Sequence, residues 1–190
     1  MTHHVGGKTL KGLSFLFSQL PKSEKWLHML TMTWVLFQLG TSFGMHVHAD
    51  TTEVQLTWID KSHMYGGLGL LVVATLFFII VLNRRSMADL YPWVSGDFKS
   101  IKEDIGSLFK WHLPEPRAGG LAATVEGLGL LALLLAVFTG TLWFGFFTFG
   151  SAIAPDFLSI HKTAVGAIEA YIYGHGLFAL LHLLTWWQSK

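Results

Sequence analysis

Residues 121–149, LAATVEGLGLLALLLAVFTGTLWFGFFTF, carry a single ionisable side chain, Glu126. A run this long and apolar belongs in hydrocarbon, where a helix satisfies every backbone amide internally. Three more stretches reach spanning length: about 26–45 (WLHMLTMTWVLFQLGTSFGM), 63–82 (HMYGGLGLLVVATLFFIIVL) and 161–187. The first is the least hydrophobic, with His28, Gln38 and several hydroxyls, so its polar side is expected to face protein or a cofactor. Over 190 residues only 13% are charged and 52% are hydrophobic, against about 25% charged in a typical soluble domain. The expectation is an all-α integral membrane four-helix bundle, one domain over residues 1–190.

Basic residues orient the bundle. Lys8, Lys11, Lys22 and Lys25 precede the first span; Arg84, Arg85, Lys99, Lys102, Lys110 and Arg117 lie between spans two and three; Lys190 ends the chain. Only Lys61 and Lys162 fall on the other side. This bias predicts cytoplasmic termini and outward connections at 45–62 and 150–160. TLKGLSFLFSQL (residues 9–20) has too short an apolar core and no cleavage site for a secretory signal, and is expected to form an interfacial helix. In the 86–117 connector, Phe98, Ile101, Ile105, Leu108 and Phe109 recur at helical spacing, which predicts an amphipathic surface helix ended by PEPR.

The net charge of +1 and the lack of a basic patch interleaved with aromatics argue against nucleic-acid binding. Cysteine is absent. That excludes disulfides, cysteine-ligated clusters, thiolate-bound haem and covalent haem attachment through this chain. Histidine, ten copies in all, dominates the remaining ligand chemistry. His3 and His4 sit at a polar terminus, and His112 in the connector reads as an ordinary surface residue.

HKTAVGAIEAYIYGH (161–175) sets two imidazoles fourteen residues apart, on one helix face and roughly 21 Å apart in depth. With the topology above, His63 and His161 share the outer level, and His28 and His175 the inner one. One histidine near an interface is ordinarily an interfacial residue, but two depth-matched pairs in so short a chain favour a cofactor. Zinc or copper gathers three or four ligands at one level, often with a carboxylate; two ligands at each of two levels favour haem. Gly66, Gly67, Gly69, Gly174, Gly176, Gly40 and Gly44 are expected to let a flat macrocycle approach the helices.

KWLHML opening span one, HMYGGLGLL opening span two and the fourteen-residue histidine spacing in span four resemble the bacterial di-haem cytochrome b superfamily. Its members include the small cytochrome b561 proteins and the cytochrome b subunits of hydrogenases, thiosulfate reductase and formate dehydrogenase. The likeness covers residues 24–187, and span three, which supplies no ligand in that family, has no histidine here. It implies two haem b groups with iron axial ligands His28 and His175 (inner) and His63 and His161 (outer). His182, on the same face as His175, is a rival inner ligand; His46 and His48 in GMHVH are rivals of His63.

The implied activity is electron transfer across the bacterial inner membrane, between the quinone pool and a redox protein such as a c-type cytochrome or a dehydrogenase subunit. The chain is then an electron-transfer protein or the cytochrome b subunit of an oxidoreductase complex, in contact with lipid and a redox partner or a second copy. Its end just after span four favours slightly a second form, a stand-alone oxidoreductase coupling quinone to a small reactant such as superoxide. Glu169, deep in span four, and Glu126 are candidates for handling the protons of quinone chemistry. A haem-free transporter or scaffold whose histidines relay protons or bind metal is the alternative from another class.

Overall fold

The computed structural model describes residues 21–188. The expected interfacial helix at 9–20, and His3 and His4, lie outside these residues. Among the described residues all regular structure is helical. The four long helices are α1 (Lys22–Ser42), α2 (Trp58–Arg84), α6 (Leu121–Thr148) and α7 (Ala154–Gln188). Between α2 and α6 lie the short α3 (Met87–Leu90) and α4 (Pro92–Ser95) and the connector helix α5 (Lys99–Phe109). The amphipathic helix expected in the connector is thus present.

α1, α2 and α7 begin earlier than their apolar runs. Thr57 and Asp60 form a capping box at α2, with Thr57 N–H and Oγ1 donating to Asp60 Oδ2 at 2.7 and 2.6 Å. Asp60 Oδ1 also accepts from the His46 amide at 3.4 Å, which ties the α1–α2 loop to the helix. α7 starts seven residues before His161, so that histidine sits about two turns inside the helix rather than at its mouth. At 35 residues, α7 spans about 52 Å and outreaches a hydrocarbon layer of about 30 Å.

Three helices, α2, α6 and α7, are long and apolar enough to cross a membrane. α1 reaches the length, but polar residues dilute it, and their placement explains why. Its buried residues are Glu24, Thr31 and Gln38, one every seven positions, while Trp26, Leu30, Leu36 and Phe37 are exposed. A helix that turns hydroxyl, amide and carboxylate inward and hydrocarbon outward is arranged for a lipid surround.

Packing runs in a chain: α1 on α2, α2 on α6, α6 on α7. Leu70, Ala74, Leu133, Ala136, Val137, Ala164 and Ile168 form the middle of the core, joined by Trp34 and Val35 of α1. Two of the glycines expected to admit a macrocycle serve the α1–α2 contact instead. A Cβ at Gly69 would lie 2.7 Å from the Trp34 indole, and one at Gly66 would collide with the Gln38 amide. Gly40, Gly67, Gly174 and Gly176 do face open space.

The connector is seated by buried polar groups. Asp104 accepts from Arg117 Nη2 and from the Leu121 amide, both at 2.7 Å, and so caps the start of α6 with a carboxylate. Tyr91 is buried and donates to the Gly127 carbonyl at 3.1 Å; burial raises the pKa of its hydroxyl.

Candidate cofactor site

His28, His63 and His161 sit one to two turns inside their helices, and His175 lies more than three turns from either end of α7. The structure brings them together in two pairs. His28 of α1 faces His175 of α7 with ring centroids 6.4 Å apart, and His63 of α2 faces His161 of α7 at 6.3 Å. His182 and the two loop histidines stand outside these pairs. His46 and His48 use their backbone amides on Asp60 and Thr51, and His112 is exposed, its Nδ1 bonded to the Lys110 carbonyl at 2.7 Å.

The imidazoles of the His63–His161 pair are oriented by hydrogen bonds. His63 Nδ1 lies 3.1 Å from the Gln38 carbonyl and 3.0 Å from Thr41 Oγ1; His161 Nδ1 lies 2.9 Å from the Ala136 carbonyl. A carbonyl only accepts, so Nδ1 carries the proton in each and leaves the Nε2 lone pair for a metal. A backbone carbonyl holding the far nitrogen is how proteins fix a ligating histidine. In the His28–His175 pair, aromatic rings flank the imidazoles. Tyr171 stacks on His175 at 5.1 Å and 22°, and Phe77 meets His28 edge-on at 6.1 Å.

From α6, sequence reasoning used only Glu126 and the lack of histidine, yet α6 shapes both histidine pairs. A Cβ at Gly140 would touch the His161 ring at 3.0 Å, and one at Gly129 would overlap the Tyr171 ring. The only trace in the sequence is spacing: Gly129 and Gly140 are eleven residues apart, Tyr171 and His161 ten. Gln38 and the hydroxyls of α1 were read only as a polar side facing protein or a cofactor; their pairing with His63, and that of the Ala136 carbonyl with His161, depends on which helix lies opposite.

A bond of about 2.0–2.1 Å from each imidazole nitrogen puts two rings on opposite sides of one metal roughly 6.3 Å apart, centre to centre. Both observed pairs meet that spacing. Thr31 Oγ1 is also buried without a protein hydrogen-bond partner, which suits a prosthetic group rather than hydrocarbon. The donor set is two nitrogens per level; among the described residues no cluster of three metal-ligating side chains exists. The residues present therefore fit an iron porphyrin held by one imidazole on each face.

The profile of the prokaryotic cytochrome b561 family matches residues 19–188. The chain belongs to that family. No curated protein and no solved structure matches it. The assignment makes it a multi-pass membrane protein, a b-type cytochrome that binds haem b and transfers electrons.

The two carboxylates singled out by sequence part company. Glu126 is half-buried and pairs with Arg85 at 2.9 Å. Beside it Glu24, 3% exposed, is gripped by Arg84 through two hydrogen bonds, one to Nη2 at 2.6 Å. Glu169 stands exposed on α7, and among the described residues it has no ion pair or hydrogen bond. Neither carboxylate joins the histidines.

Gly140 gives a direct test of the His63–His161 pair. Gly140→Val is expected to push His161 away from His63 and lower haem content, with affinity falling by about 10–100-fold as for lost orienting groups. Gly145→Val, whose Cβ meets nothing within 4 Å, should leave haem content unchanged. Haem-to-protein ratios of the purified variants decide it; equal ratios would mean that the Gly140 contact does not set the ligand.

Proposed function

We propose that the protein is a di-haem cytochrome carrying electrons across the bacterial inner membrane, between the quinone pool and a redox partner. The observation that carries this reading is the pair of histidine couples, each at the spacing that one iron requires and separated by fourteen residues of α7. His28 and His175 hold the inner haem, and His63 and His161 the outer. The levels are roughly 21 Å apart along α7.

Bound there, haem supplies one-electron carriers at two depths of a layer in which a bare charge is costly. The chain's own residues do the rest. The Gln38 and Ala136 carbonyls fix the tautomers of the outer imidazoles, and Tyr171 holds the ring plane of His175. The core of Leu70, Ala74, Ala164 and Ile168 keeps water from the space between the levels. With an imidazole from each of the two helices to hold it, the iron would offer oxygen and substrates no open place.

The basic bias of the connector and the N-terminal segment puts both termini and the Arg84–Arg85 end in the cytoplasm. Quinone then exchanges electrons with one level and a periplasmic protein or small reactant with the other. We assign the protons of quinone chemistry to Glu169, which is exposed on α7.

A reduced-minus-oxidised spectrum of the purified protein with a pyridine haemochrome assay tests the reading. Two haem b per chain is the expected result. One per chain would sink the two-level arrangement, and a colourless protein would leave the haem-free transporter.

A further inference from the structure

Helix α5 ends in an unusual way. Trp111 is the one non-glycine residue with positive φ among the described residues, at +60°. Its amide donates to the Leu108 carbonyl at 2.9 Å, and the next amide, of His112, donates to the Ser107 carbonyl at 2.9 Å. This is a Schellman cap with tryptophan at the left-handed position, where glycine carries no steric penalty. The strained residue gains nothing from the protein in return. Its side chain is 97% exposed, and that of Phe109 is 84% exposed.

The exposed rings do not stand alone. Phe98, Ile105 and Phe109, at i, i+7 and i+11, form one exposed apolar stripe along α5. The adjoining face is already committed to the bundle through Asp104, which holds Arg117 and the first amide of the membrane-crossing α6. The stripe is therefore fixed within a few residues of the point where α6 enters hydrocarbon. Lys99, Lys102 and Lys110 lie along one side of it, and none takes part in an ion pair among the described residues, whereas Glu103 and Asp104 are both engaged by Arg117.

We infer that α5 and its Phe109–Trp111 corner form a membrane-surface anchor, with the aromatic stripe seated in the interfacial layer of the leaflet that α6 enters and the three lysines on anionic lipid headgroups. Aromatic rings favour that layer, and basic side chains near it are drawn to anionic lipid. The continuity with α6 and the unopposed lysines favour lipid over a protein partner.

The chain has no cysteine, so single labels report cleanly. The haem-loaded protein carrying Ile105→Cys, or Glu103→Cys on the opposite side of α5, is nitroxide-labelled. It is placed in vesicles of phosphatidylcholine with or without phosphatidylglycerol. With phosphatidylglycerol present, the oxygen-to-nickel-chelate accessibility ratio at 105 should exceed that at 103 by about threefold or more, and it should fall when the anionic lipid is omitted. Adding Trp111→Gly should relieve the backbone, leave haem content and thermal midpoint in detergent equal or higher, and lower the ratio at 105. Equal ratios at the two positions overturn the anchor. So does spin–spin broadening at 105, which would show a second copy covering the stripe. A ratio indifferent to phosphatidylglycerol removes the lysines from the proposal, and one indifferent to Trp111→Gly removes the corner.

Discussion

His175→Ala is expected to take the protein from two haems to one while the remaining haem keeps its spectrum. His28 is the one histidine whose ring meets that of His175 among the described residues, at 6.4 Å, so the change would leave the inner level with a single imidazole and the outer level intact. His28→Ala should give the same product, and His63→Ala or His161→Ala the complementary one. With each remaining haem held by two imidazoles, redox titration of the two classes should resolve two different midpoint potentials, because the environments differ. The outer rings bond to backbone carbonyls, and the inner ones meet Tyr171 and Phe77. His182→Ala is the control and should retain both haems. If His182→Ala loses a haem and His175→Ala keeps both, the inner ligand is His182 and the ring geometry has misled.

The second large effect concerns stability. Arg84→Met strips the partner from Glu24, which is 3% exposed, and leaves a carboxylate buried among helices. Breaking a buried pair from one side typically costs about 3–5 kcal/mol. Arg84 is itself a third exposed, and solvent screening puts the expected loss at the low end, about 3 kcal/mol. Glu24 precedes His28 by one helical turn, so α1 should loosen at the inner level first, with the inner haem dissociating at a lower denaturant concentration than the outer. Unfolding in a denaturing detergent, followed by helical circular dichroism and by the haem bands, measures both. Glu24→Gln combined with Arg84→Met should lose less than Arg84→Met alone, since no charge is then stranded. A double variant as unstable as the sum of the singles would show that the pair is not the source of the effect.

Much of this was legible in the chain. Residues 121–149 and 63–82 carry long apolar runs, and a backbone in hydrocarbon has little choice but helix. The connector helix followed from the period of Phe98, Ile105 and Phe109. The histidine pairs followed from depth alone, once the helices were counted and the axial rise is fixed. Helix ends were less legible: α2 starts at Trp58 because Thr57 and Asp60 cap it, and apolarity carries no information about a cap that lies outside the run.

Azimuth was decided by tertiary structure. The sequence placed His28 near His175 and His63 near His161 in height, because rise per residue is a property of the backbone. Which way each ring turns depends on the helix opposite, and that is set by side-chain shape. Gly66 and Gly69, which by composition suited a macrocycle, accept Gln38 and Trp34, while Gly129 and Gly140 of the ligand-free α6 make room for Tyr171 and His161. Glycine reads alike in every span. Only its neighbour across the interface distinguishes a helix contact from a ligand seat.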